Sequence, residues 1–127
     1  MAVNYKPVPK KNPAQQAEPA KYYAQVVSSG EMTVRQLAKQ ITAISTVSSA
    51  DTMAVIEAFL EVVPQALADG KIVRLGDFGS FSLAVNSEGS VDALTLSKNQ
   101  IKKVSVRFRP GKEFTKVTST AEFTKVS

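Results

Sequence analysis

The sequence predicts an α+β fold: a helical hairpin, then an antiparallel β-sheet, then a short C-terminal helix. Three observations predict it. Two stretches between Thr33 and Asp69 start with capping residues and repeat apolar side chains at helical spacing. After Gly70 the apolar period shortens from 3.6 residues to 2. Pro110-Gly111 then breaks the best of the alternating segments, and a short helix-compatible run follows.

Taken in order, residues 1–20 hold four of the six prolines, Pro7, Pro9, Pro13 and Pro19. Proline has no amide to donate, so an extended arm that pairs at an edge fits better than a helix or a central strand. Lys21 to Val27 is aromatic and β-branched and reads as a strand. Val3-Asn4-Tyr5 can pair with Tyr22 to Val27, which leaves Lys10 and Lys11 to meet an anionic backbone.

Thr33 and Gln36 form a T-x-x-Q capping box, with Met32 and Leu37 placed as a hydrophobic staple. Val34, Leu37, Ala38, Ile41 and Ile44 carry the first helix to about Ser45-Thr46. Ser48 starts the second, along which Met53, Ile56, Phe59, Leu60, Val63 and Leu67 make a wide apolar stripe. Pro64 should kink its last turn, and Gly70 should end it. A connection this short makes the pair an αα-hairpin.

Ile72 to Leu75 and Phe81 to Val85 read as strands around Gly76-Asp77-Phe78-Gly79. Ser87 to Ser90 is a turn signal, and Val91 to Leu96 reads as a weak strand. In Ile101 to Arg109, Val104, Val106 and Phe108 alternate with Lys103, Ser105, Arg107 and Arg109. Lys112 to Val117 reads as a short helix. Ser119 to Ser127 ends the chain, with Phe123 and Val126 able to anchor a last strand.

The 127 residues include no cysteine, histidine or tryptophan. A thiolate zinc site, a thiol nucleophile and a Ser-His-Asp triad are therefore excluded. Ser80, Asp77 and Glu113 can be assembled on paper into an acid–base site, but only residue type supports it. The reading is of a non-enzyme with no cofactor, no metal and no small-molecule substrate. No apolar run approaches the roughly 20 residues that span a bilayer, and the N-terminus carries no apolar targeting core, so no membrane partner is expected.

The formal charge is +5 and uneven. Residues 1–30 carry +3, residues 31–70 carry −3 and residues 71–127 carry +5. A basic C-terminal half points to an anionic partner, nucleic acid first, although a soluble protein with a basic surface has the same balance. Alternation puts Lys103, Arg107 and Arg109 on one strand face, with Lys98, Lys102 and Lys112 close by. Long cations on a rigid sheet suit phosphate contacts. The same pattern also fits the solvated face of an ordinary amphipathic strand. Leu75-Gly76-Asp77-Phe78-Gly79-Ser80-Phe81 suggests a tight turn that exposes backbone amides, or a hairpin turn between two core phenylalanines. It is not a Walker or dinucleotide phosphate loop.

The segment Thr33 to Phe81 resembles the bacterial HU/IHF histone-like DNA-binding proteins, aligning with an HU sequence without a gap. The family's Q-L-x-x-x-I stands at Gln36-Leu37 and Ile41. Its G-F-G-[TS]-F stands at Asp77-Phe78-Gly79-Ser80-Phe81, and its F-x-x-G-K-x-L at Phe108 to Phe114, with Asp77 and Phe114 departing. The resemblance covers most of residues 33–118. It implies an IHF-like fold in an intertwined homodimer, residues 1–30 being an N-terminal extension and 31–127 the HU-like domain. It also implies architectural, largely sequence-nonspecific binding of double-stranded DNA in the cytoplasm, at the nucleoid. The DNA-binding residues expected are Arg74, Lys98, Lys102, Lys103, Arg107, Arg109 and Lys112. Gly79 with Ser80, and Gly111 with Lys112, match turns that approach phosphate in the family. Phe78, Phe81 and Phe108 are expected in the dimer core.

Two departures bear on this. The family's Arg-Asn-Pro arm tip is absent between Phe81 and Phe108, where Glu88 and Asp92 stand instead. Ordinary HU also has no counterpart of residues 1–30. The alternative is an HU-fold protein-interaction module that has lost DNA wrapping.

Overall fold

A computed structural model describes residues 2–15 and 17–126. These fall into two compact units, within Met1–Thr33 plus Val117–Ser127 and within Val34–Lys116.

The unit of residues 34–116 opens with the helical hairpin, α1 (Val34–Ala43) and α2 (Ser49–Ala68). Ser48 caps α2: it is extended, and its hydroxyl accepts the Asp51 amide at 3.2 Å. The other end closes as a Schellman motif. Lys71 N–H donates to Ala66 and Gly70 N–H to Leu67, at 3.1 and 2.9 Å. Gly70 takes φ 81°, which a Cβ would oppose. α2 continues through Pro64 to Ala68.

The two helices meet at small residues. Ala38 of α1 and Thr52 of α2 are buried, and Leu67, buried further along α2, lines a groove with Phe81, Leu83 and Val106 of the sheet that follows. The Thr52 hydroxyl donates to the Ser48 carbonyl at 2.8 Å and lies 3.5 Å from the Thr42 hydroxyl. Thr42 in turn donates to the Ala38 carbonyl at 2.9 Å. Each buried hydroxyl is thus satisfied without a water. The apolar stripe of α2 is covered only in part within the chain: Phe59 and Leu60 are exposed, as are Val55 and Val62 outside it.

A three-stranded antiparallel sheet follows, in the order β3 (Val73–Arg74), β4 (Gly79–Ser87), β5 (Ile101–Pro110). A 3-10 turn, Gly76–Phe78, joins β3 to β4. α3 (Lys112–Ser119) starts immediately after β5. Phe78, Phe81, Phe108 and Phe114 form one cluster, with ring centroids 4.8–5.9 Å apart.

The expected strand at Val91 to Leu96 does not form. That stretch is a turn, held by Asp92, whose carboxylate accepts the Thr95 amide at 2.9 Å. A short polar side chain offers the backbone a local partner in place of a ladder. The strand expected over Ile72 to Leu75 shortens to two residues.

The other unit contains a second sheet, β2-β1-β6, from β1 (Ala2–Lys10), β2 (Lys21–Val27) and β6 (Glu122–Lys125). β1 and β2 pair antiparallel, with Tyr5 opposite Val26. β6 lies parallel to β1, with Val3 opposite Phe123. The tail was expected to continue the HU-like domain; its pairing places β6 beside β1. Ser127, the end of that expected strand, lies outside the described residues.

The prolines explain the shape of this sheet. Tyr5 accepts the Val126 amide at 2.8 Å, so its backbone groups face the β6 side. Period two turns Pro7 and Pro9 to that same side. β6 pairs only as far as Tyr5, so the missing amides fall where no third strand is paired.

Replacing Ser48 by alanine removes the α2 cap. We expect a loss of about 1 kcal/mol, read as a lower urea midpoint with an unchanged slope.

Candidate nucleic-acid interface

The register of β4 against β5 decides which side chains share a face. Ser80 stands opposite Arg109, Ser82 opposite Arg107, Ala84 opposite Ser105 and Asn86 opposite Lys103. Arg74 of β3 stands opposite Ser80. Arg74, Lys103, Arg107 and Arg109 therefore rise from one face, and their neighbours on β4 are all short. Phe81, Leu83, Val85, Val104, Val106 and Phe108 take the other face. From Lys103 to Arg109 the cations extend along about 20 Å of strand.

Across the sheet, Arg74, Ser80 and Arg109 form a row. Strand spacing sets the two arginine backbones about 10 Å apart, with a serine between them. Guanidinium forks match phosphate oxygens in pairs. Among the described residues, none of the four cations forms an ion pair with a carboxylate of the chain.

The row borders a concavity of about 240 Å³ lined by Arg74, Gly76, Gly79, Ser80, Arg109, Pro110 and Gly111. Its backbone is tightly constrained. Gly111 N–H donates to Phe78 O at 3.0 Å, and Leu75 N–H donates to Gly79 O at 2.8 Å. A Cβ on Gly79 would lie 2.5 Å from the Arg109 carbonyl and 2.9 Å from the Phe108 ring. A Cβ on Gly111 would collide with the Asp77 carbonyl. Gly79 also holds φ 142°. Both glycines are required by backbone packing, a reason independent of any ligand. Gly76 differs: it holds φ 59° and has open space where a Cβ would point.

The expected site residues thus divide. Arg74, Gly79, Ser80, Arg109 and Gly111 line the concavity, and Arg107 and Lys103 continue the face. Lys112 begins α3 one residue beyond Gly111. Lys98 and Lys102 stand elsewhere, at the far end of the hairpin. Lys98 begins a 3-10 turn, Lys98–Gln100. Lys102 occupies the register shift between Asn86 and Ser87 and pairs with Glu88 at 3.4 Å. Both members of that pair are more than half exposed, so it contributes little stability.

Sequence reasoning missed several members. Ser82 and Asn86 become visible only through register. Gly76 reads as turn in the sequence, not as lining. The capping box at the hairpin end was missed too, although its S-x-x-Q is the same type of signal as that at Thr33: Gln100 accepts from Ser97 N and Oγ at 2.8 and 2.9 Å.

Among the described residues, no helix is long and apolar enough to cross a membrane. The family HU-HIG, described as an HU domain fused to wHTH, Ig, or glycine-rich motif, matches residues 1–125. No protein of curated function matches. A solved structure of a candidate bacterial DNA-binding protein from Bacteroides vulgatus ATCC 8482 is similar in fold, with a TM-score of 0.66 at 13% identity. The likeness covers 98% of this chain and 48% of that one, so this chain spans about half its length.

Gly111→Ala should destabilise the protein by about 2 kcal/mol or more, because backbone must move. A thermal melt checks this, and an unchanged midpoint would show that the turn has slack.

Proposed function

The chain belongs to the HU-HIG family of HU domains fused to other modules, and on that premise we propose that it binds double-stranded DNA as an architectural, largely sequence-nonspecific homodimer of the nucleoid. The unit of residues 34–116 is the DNA-binding part. One observation carries the reading: the face bearing Arg74, Lys103, Arg107 and Arg109 over Ser80, Ser82, Ala84 and Asn86. Unpaired cations above short side chains let a duplex backbone approach the sheet closely. Such contacts orient a duplex without reading its sequence. No step here needs a catalytic group or a cofactor.

A large exposed surface, with apolar side chains in it, supports the dimer. The chain exposes 10758 Å². A compact monomer of this mass would expose roughly 6,600 Å², and two separate bodies of these sizes roughly 7,800 Å². Within the unit of residues 34–116, a groove of about 430 Å³ is lined by Val63, Pro64, Leu67, Ala68, Phe81, Leu83 and Val106. With the exposed Phe59 and Leu60 of α2 it offers a second copy an apolar surface.

One observation favours a second reading, an HU-fold protein-interaction module. Between Ser87 and Lys98 the chain has no cation but carries Glu88 and Asp92. Val91 and Leu94 there are 100% and 96% exposed. An acidic, apolar hairpin end suits a protein partner better than a phosphate backbone.

Two measurements decide. In a salt series with labelled duplex, Arg107→Ala with Arg109→Ala should weaken binding and flatten the slope of log affinity against log salt. The expected change is roughly 0.9 for each phosphate no longer neutralised. An unchanged slope removes the sheet face from the site, and no binding by the wild type at low salt favours the second reading. Leu60→Glu should convert the dimer to monomer in sedimentation velocity; a wild type that is monomeric throughout would reject the dimer.

A further inference from the structure

Paired strands share faces residue by residue, and in the sheet β2-β1-β6 this gathers three of the four lysines on one face; Lys125, opposite Tyr5, is on the other. Val3, Tyr5, Pro7 and Pro9 of β1 lie on one face with Phe123, Val26, Ala24 and Tyr22 opposite them. Lys6, Val8 and Lys10 lie on the other, opposite Gln25, Tyr23 and Lys21. Lys10 and Lys21 therefore stand directly across from each other. Like charges at that position repel and weaken the hairpin.

Among the described residues neither Lys6, Lys10 nor Lys21 forms an ion pair. Glu18 lines the same small polar hollow of about 120 Å³ as Lys10, Lys21 and Tyr23, yet makes no ion pair with either lysine. With its amide turned to donate, Gln15 reaches both Glu18 oxygens, at 2.9 and 3.1 Å. The other acid on this face, Glu122, is opposite Ala2, about 26 Å along β1 from Lys10. Lys6 extends the basic face about 13 Å from Lys10, and Lys11 follows β1 directly.

We propose that this face is a second anion-binding surface, taking backbone phosphates of duplex DNA through Lys6, Lys10 and Lys21, with the half-exposed Tyr23 phenol as a donor. A phosphate between Lys10 and Lys21 removes their repulsion, and Lys6 contacts the backbone further along. Lipid headgroups carry the same anion, but a bilayer draws cations and apolar side chains to the same side. Here Lys6, Lys10 and Lys21 face away from Tyr5, Val26 and Phe123, and Lys125 is the one lysine of the three strands on the apolar side. The proposal rests on the reading that the unit of residues 34–116 binds DNA and adds a binding zone in the other unit.

The test uses the full chain, with Lys10→Ala plus Lys21→Ala, and with Lys10→Gln plus Lys21→Gln as a second variant. Both should keep or raise the thermal midpoint. Both should lower the salt slope for labelled duplex by roughly 0.9, the value for the one phosphate left unneutralised. Duplex added to the wild type should shift the Lys10, Lys21 and Tyr23 amide resonances. Wild-type binding with an unchanged slope in both variants and still resonances overturns this proposal alone, provided Arg107→Ala with Arg109→Ala does flatten the slope. A wild type that ignores duplex at low salt overturns both readings. Lysine-dependent binding to phosphatidylserine vesicles with an unchanged DNA slope overturns it in favour of a membrane surface.

Discussion

Two backbone segments cross at Gly79 and Gly111 with no room for a side-chain carbon, and the geometry of the basic face depends on that crossing. The hydrogen bond from Gly111 to Phe78 fixes where β5 ends against β4. It places Arg109 opposite Ser80, and the alternation of the sheet then places Arg107 and Lys103. A slip of one residue would turn every cation to the phenylalanine side. The charge pattern of the strand therefore acquires a direction only because two positions carry no Cβ.

The same crossing organises the apolar side. Phe108 fills the space that a Gly79 side chain would need, and touches Phe78, Phe81 and Phe114. The cluster closes one end of the sheet. At the other end Leu83, Val85, Val104 and Val106 remain exposed. In the proposed dimer, that surface and the α2 stripe complete a core that one chain leaves open. The acidic helical hairpin and the basic sheet face are then kept apart by apolar surface.

Local signals were legible in the sequence. The Ser48 cap, the Gly70 stop and the alternation in β5 each depend on a few adjacent residues, and each formed. Val91 to Leu96 did not become a strand, because Asp92 outweighs its β-branched neighbours: the carboxylate supplies the backbone bond that a neighbouring strand would have supplied. The face of Arg74 was settled only by its register with Ser80. The place of Phe114 among the aromatics, and the pairing of β6 with β1, depend on residues far apart in the chain. No window of neighbouring residues contains them.

That last pairing has a kinetic consequence. Ala2–Tyr5 meets Glu122–Lys125, which closes a loop of about 120 residues. The antiparallel hairpin of β1 and β2 can form from a short stretch, but its third strand is made only from the last described residues. Until then the β1 edge from Ala2 to Tyr5 stays open, ahead of the prolines that protect the rest of that edge. Of the three strands of this sheet, β1 leaves the ribosome first and its pairing is completed last. During synthesis, this four-residue edge is the part of the sheet most open to pairing with a neighbouring chain.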